Sequence, residues 1–458
     1  MEEKTAYDVH MHAFNLSHPS ISAFLGRAIR ELWRGLLTPR HAFRFVLFVL
    51  LGLALAALAV LVVATCLIPP LQLGARWLTR VIWYRLKRVL DAAANLLLVL
   101  ENDIGSTFLL MEDCLREKEN PLLRADGLHL GTECYSRVVL TPLMMDFGYK
   151  GRTPPHEEKP KRRFHYDVPA GKPIVEQVVD VFRAIRVYVE TKSDPSLSVK
   201  YPSLDPTTER VFEIYPFLGL NPANYRPPKK LADLLEKYFG EYTGRREDLR
   251  KNLGQFDGDI DHLGNHAFAG IKVYPPLGFD PWPDSDGDAL EKVELLYSKC
   301  CEKGIPLTTH GGKGGFVTVR RRVLDEIAEV SKWAEVLGAH STLKLDIAHF
   351  PIGRSERERQ SEMLALVLEH ENVYVDISCR AFTDAYYQGL RTLLDRLPTP
   401  DAEKLTSRIL FGSDFAVNLM WIESYNRYLS LFSQTTVLTQ AEKHAFCSVN
   451  PKRFLFRT

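Results

Sequence analysis

Tyr7-Asp8-Val9-His10-Met11-His12 places two histidines at i and i+2 in a short, partly apolar run near the start of the chain. On a β-strand successive side chains alternate faces, so His10 and His12 point the same way and one metal ion can take both imidazoles. The chain has 458 residues and 14 histidines, so an HxH pair also arises by chance. What it means depends on the residues that return far downstream.

From residue 106 onward, helical stretches alternate with short runs rich in Val, Ile, Leu and Phe, the pattern of βα units around a parallel sheet. The runs are Tyr7–His12, Arg137–Met145, Val211–Leu218, Gly270–Tyr274, Ile305–His310, Leu343–His349, Val373–Ser378 and Ile409–Asp414. Eight strands predict an α/β fold, a (β/α)8 TIM barrel, with chemistry where the strands end. His10 and His12 end the first run, Lys272 lies in the fourth, and His310, His349 and Asp414 end the fifth, sixth and eighth. Any one of these is ordinary as a core or loop residue. Five strand ends supplying ligand-type residues point to one shared site.

Composition narrows the alternatives. Lys plus Arg total 58 against 57 acids, so no global charge points to nucleic acid. The seven cysteines (66, 114, 134, 300, 301, 379 and 447) form no CxxC, and their odd number fits reduced thiols better than a disulfide framework.

The ordered set resembles the amidohydrolase superfamily: HxH, then Gly-Ile-Lys-Val-Tyr (270–274), Thr-Thr-His-Gly (308–311), Ile-Ala-His-Phe (347–350) and Phe-Gly-Ser-Asp-Phe (411–415). It is most similar to the amidohydrolase-related branch that includes metal-dependent hydrolases and the aminocarboxymuconate-semialdehyde type of decarboxylase. The closing Asn450-Pro451-Lys452-Arg453-Phe454-Leu455 is similar to the short Asn-x-x-Arg-x-Leu helix that often ends these barrels. The resemblance covers residues 5–14 and 106–458. It implies one divalent ion, zinc first and manganese second, held by His10, His12 and His310 with Asp414 as ligand or close neighbour. Binuclear relatives bridge two ions with a carbamylated lysine, but the Gly-Ile-Lys context is more like the mononuclear branch. Lys272 is therefore expected to be a cation facing the substrate.

Asp414 is also the candidate base for water activated by the ion, and His349 the group that polarises a carbonyl or moves a proton. Asp8 could hold an imidazole tautomer or simply begin the strand. Arg354, Arg380 and Arg163 are candidates for gripping a substrate carboxylate, which mildly favours an acidic small molecule.

The domain reading is a barrel made of residues 1–14 and 106–458, interrupted by a long hydrophobic helical insertion, 15–105, between the first and second strands. Within it Phe45–Ile68 carries no charge, and as a helix rising about 1.5 Å per residue it would reach across a bilayer core of about 30 Å. One crossing would put His10 and His12 on the wrong side of the membrane from the rest of the barrel. Three readings follow: a partial or re-entrant insertion, with Trp77, Trp83, Tyr84 and nearby arginines at the lipid headgroups; a helix buried against copies of itself in a homo-oligomer; or a second, arginine-bearing pass. The first is favoured. It associates the protein with membrane lipids and leaves the barrel on the cytoplasmic side.

The expected function is a membrane-associated metal-dependent hydrolase acting on an amide, ester or lactone. Non-oxidative decarboxylation of an unsaturated or aromatic acid is the runner-up. A membrane-attached scaffold or sensor without catalysis is the reading from another class.

Overall fold

The computed structural model describes residues 4–19, 83, 84, 87, 91, 94–119, 121–147, 172–191, 196–204, 209–317, 319 and 321–457. Eight strands run parallel and pair in chain order: β1 (Thr5–His12), β2 (Arg137–Leu143), β3 (Phe217–Gly219), β4 (Gly270–Val273), β5 (Leu307–Thr309), β6 (Leu345–Ile347), β7 (Val373–Asp376) and β8 (Ile409–Leu410). The last meets the first. Val9 N donates to the carbonyl of Phe411 at 3.1 Å and His12 N to that of Phe415 at 2.7 Å. Helices such as Ile174–Glu190, Gly287–Lys303, Arg357–Glu369 and Asp384–Arg396 provide the crossovers that parallel neighbours need. The (β/α)8 expectation is met.

The outward residues of the strands, among them Ile271, Val273, Leu345, Ile347, Val373 and Val375, pack into one large core with the helices. Each fully buried aliphatic side chain of this kind contributes about 1.5–3 kcal/mol relative to exposure. The inward positions differ along the barrel. One end is apolar, where Tyr7, Val9, Tyr215, Phe217, Tyr374 and Leu410 cluster with Phe454 and Phe456. The helix Asn450–Leu455 brings those two rings in as a plug, with Phe454 at 5.2 Å from Tyr374 and Phe456 at 6.3 Å from Tyr7 between ring centroids. Asn450 fastens the helix by donating to the carbonyls of Thr406 and Ile409.

Three features depart from the sequence expectation. The run Val211–Leu218 is two short strands: Phe212–Ile214 pairs with β2 at Val138–Leu140, and β3 joins β2 only at Leu143. Pro216 lies between them and has no N–H to continue a ladder. The strands carrying His310, His349 and Asp414 stop before those residues. His349 and Asp414 have φ of 66° and 60°, outside the extended region. A three-stranded antiparallel sheet (Leu123–Arg124, Gly127–Leu130, Glu133–Tyr135) leads into β2, and no run anticipated it.

Phe45–Ile68, Trp77, Arg163 and most of 15–105 lie outside the described residues. Among the described residues no helix is long and apolar enough to cross a membrane.

Candidate metal centre

A bulge in β1 sets the geometry. Asp8 is opposite Leu140 and Met11 opposite Pro142, so β1 has one residue more than its partner between these points. Such a bulge re-aims the side chains after it. Asp8 is turned to the helix layer, where it accepts from Ser413 N (2.9 Å) and Tyr425 Oη (3.0 Å). His10 and His12 turn toward Asp414. Asp8 therefore anchors the β8 loop and the backbone of His10 rather than holding an imidazole. Burial raises its pKa to about 6 against those bonds. β8 approaches β1 closely because residue 412 is glycine: a Cβ there would stand 2.6 Å from that of His10.

His10, His12 and Asp414 each direct one ligand atom to a common point. Asp414 Oδ1 is 3.1 Å from His12 Nε2 and 3.8 Å from His10 Nε2. Those separations bracket the edge of a tetrahedron with bonds of about 2.0–2.2 Å, the range for zinc with imidazole and carboxylate. His10 Nε2 and Asp414 Oδ1 are buried without a hydrogen-bond partner. The donor set and these two atoms fit a divalent ion.

Behind His10 stands Asp376. Its Oδ2 lies 2.6 Å from His10 Nδ1, and its Oδ1 accepts from His349 N (2.9 Å), Ser378 N (3.0 Å) and Ser378 Oγ. A carboxylate on Nδ1 keeps the proton there and presents the Nε2 lone pair to the ion. Burial pushes the Asp376 carboxyl up, but the His10 and His349 interactions together hold the group far below the ordinary range. Asp414 is likewise raised by burial and held low by His12, His349 and His10 together. Burial drives His10 down and His349 to about 3, so these imidazoles are neutral, as ligands or proton acceptors must be.

His310 stands outside the three-ligand group and reaches it through His349: His310 Nδ1 is 3.2 Å from His349 Nε2, and His349 Nδ1 meets Ser378 Oγ at 2.9 Å. The His310 ring stacks on Tyr274 with centroids 4.5 Å apart. The geometry thus brings His10, His12 and Asp414 together, with His349 beside them and His310 next in line. Lys272 is 1% exposed, and its Nζ has no hydrogen-bond partner. Burial lowers it to about 8, opposed by Asp376, Asp346 and Asp414. Asp346, on β6, is pushed well above the usual carboxyl range by burial and by Asp376. Arg380 Nη1 is bound to Glu356 at 3.0 Å, a carboxylate that also pairs with Arg359, and Arg354 is exposed in the turn Arg354–Glu356. The wall beside His12 is aromatic. Phe14 stands 5.4 Å from His12 and 5.2 Å from Phe316, and Phe147 is 5.7 Å from Phe316, by ring centroids.

The sequence places Asp376 along the seventh strand without a role, and it does not single out Asp346. The available signal was an acid inside each of two otherwise apolar strands, Val-Tyr-Val-Asp and Leu-Asp-Ile.

Residues 254–457 match the family model described as amidohydrolase. This part of the chain is similar to the amidohydrolase family. The matched region holds His310, His349, Asp376 and Asp414, and β1 supplies the HxH from outside it. No curated protein matches the chain. Among solved structures, the chain is similar to 2,6-dihydroxybenzoate decarboxylase complexed with 2,6-dihydroxybenzoate, at 12% identity over 70% of this chain and 83% of that one, TM-score 0.35. It is also similar to 4-oxalomesaconate hydratase from Rhodopseudomonas palustris, at 14% over 70% and 76%, TM-score 0.36. Dihydroorotase from Campylobacter jejuni matches at 14% over 76% and 79%, TM-score 0.35.

Proposed function

We propose that the chain is a metal-dependent hydrolase that adds water to the carbonyl of an amide, ester or lactone bearing an apolar group. The observation that carries the reading is the convergence of the His10 and His12 Nε2 atoms with Asp414 Oδ1, two of these three atoms being buried without a hydrogen-bond partner. A divalent ion held there would supply Lewis acidity, polarising a carbonyl and lowering the pKa of water.

The protein's own groups do the rest. Asp376 fixes the His10 tautomer. Asp414 is ionised and so can take the proton lost by the attacking water at a carboxylate oxygen. His349, neutral and joined to His310, can pass a proton toward the leaving group. Phe14, Phe147 and Phe316 exclude bulk water and would contact the apolar group. That wall favours a substrate with an apolar group. The uncharged stretch Phe45–Ile68 is the argument for placing the enzyme at a membrane, and cell fractionation tests it.

Zinc-reconstituted protein assayed on amides, esters and lactones with aryl or alkyl groups should release a new carboxylate. Asp414→Asn should lower turnover by about 100-fold or more. Carbon dioxide released from aromatic acids instead would replace hydrolysis by decarboxylation. Full metal content without turnover of any substrate would favour the scaffold.

A further inference from the structure

We propose that Asp126, His129 and Cys134 form a second divalent-cation site, suited to zinc, on the three-stranded sheet that leads into β2. One ligand atom from each lies within 4.8 Å of the others. His129 Nε2 is 2.9 Å from Asp126 Oδ1, and Cys134 Sγ is 3.4 Å from the Asp126 carbonyl oxygen.

The backbone builds this cluster. His129 and Cys134 are directly opposite in the antiparallel pair Gly127–Leu130 and Glu133–Tyr135, so both side chains leave on the same face. Asp126 comes from the preceding turn. That turn curls tightly because Gly127 has φ 138°, where a Cβ would meet the Tyr135 carbonyl oxygen at 2.3 Å. The opposite face is packed: Leu128, Leu130 and Tyr135 are buried, and Gly131 N donates to Ser433 Oγ in the helix Tyr425–Gln434. The three donors therefore stand on a rigid floor with their free sides outward, His129 and Cys134 half-buried and Asp126 exposed.

The donor types select the ion. A thiolate with an imidazole and a carboxylate suits zinc or cobalt(II), whereas magnesium and calcium prefer oxygen ligands throughout. Three protein ligands leave a fourth position to water on the exposed side. Binding requires the Cys134 thiol to release its proton to solvent, so affinity falls as pH falls. The site is separate from the barrel centre. Ser136 N donates to the carbonyl of Lys4, just before β1, which puts this sheet at the end of the barrel opposite His12 and Asp414. There an ion would clip the hairpin that delivers β2.

Cobalt(II) titration of the chelator-stripped full chain provides the test. A near-ultraviolet sulfur-to-cobalt charge-transfer band reports thiolate ligation, and because Cys379 lies against Asp414 at the barrel centre, the band is assigned by its loss in Cys134→Ser. The expected result is one equivalent of such a band in the wild-type chain, absent in Cys134→Ser and in His129→Gln. Zinc should also raise the melting temperature of the wild type more than that of Cys134→Ser. No band in a folded wild-type chain would overturn the proposal, as would a band that survives Cys134→Ser, which would move the thiolate to another cysteine.

Discussion

Replacing Asp376 by Asn tests whether the carboxylate behind His10 sets the metal centre. The side chain keeps its size, so the strand need not move. Oδ1 accepts two backbone N–H groups and the Ser378 hydroxyl, and only a carbonyl oxygen can satisfy them. The amide therefore settles with its oxygen on that side and its NH2 facing His10 Nδ1, where the carboxylate oxygen stood at 2.6 Å. An NH2 donor there makes Nδ1 the acceptor and moves the imidazole proton to Nε2, the atom aimed at the ion. Loss of a hydrogen-bond partner behind a metal-ligating histidine typically costs 10–100-fold in affinity. A reversed tautomer puts this case at the upper end, about 100-fold or ~2.7 kcal/mol. The assay is competition for zinc against a chromophoric chelator, in a Cys134→Ser background so that only the barrel centre reports. If the Asp376→Asn chain is folded and its zinc affinity stays within about threefold of the parent, the tautomer argument is wrong.

Gly412→Ala should destabilise the fold by about 1–3 kcal/mol, because the new methyl overpacks against His10; urea unfolding measures the loss, and zinc affinity should fall with it. Asp8 gives a pH signature in the metal-free chain. Its folded pKa of about 6 exceeds the ordinary 3.8, so the neutral form stabilises the fold, fully below 3.8, and that contribution disappears as pH rises through 6. Asp8→Asn should remove a dependence of about 3 kcal/mol between about pH 4 and about pH 7, read as the difference between wild-type and variant unfolding curves. Phe316→Ala removes a half-buried ring from the wall beside His12, and for an aryl or alkyl substrate should raise KM about tenfold, ~1.4 kcal/mol, with kcat less affected. An unchanged KM would remove Phe316 from the substrate surface.

Much of this was legible because the barrel repeats one simple signal. Apolar runs such as Gly270–Tyr274 mark buried strands, and the residues that follow inherit the chemistry. His10, His12 and Asp414 could be picked out because ligand-type residues at strand ends stand out against Val, Ile and Leu. The ends themselves are not legible. His349 and Asp414 sit one or more residues past the ladder in left-handed backbone, and composition does not encode φ. The face of Asp8 was also hidden, since strict alternation puts it beside His10 and the bulge at positions 9–10 separates them. Asp346 and Asp376 look like interruptions of strands until the histidines arrive from elsewhere in the chain. The pairing of Arg380 is hidden in the sequence because its partner Glu356 comes from a different loop.

The closure of β1 onto β8 also bears on how the molecule is made. Asp8 and Ser413, which are hydrogen-bonded, are 405 residues apart. At a synthesis rate of about 5–20 residues per second, the HxH segment exists for roughly 20–80 s before its carboxylate partner leaves the ribosome. During that interval an unpaired edge of β1 and two metal-seeking imidazoles are present without the pocket that disciplines them. Premature termination anywhere before Asp414 leaves a chain with a first strand but no centre. If the centre takes the divalent ion proposed above, loading it waits for complete synthesis, because the ligands converge only when the two ends of the barrel have met.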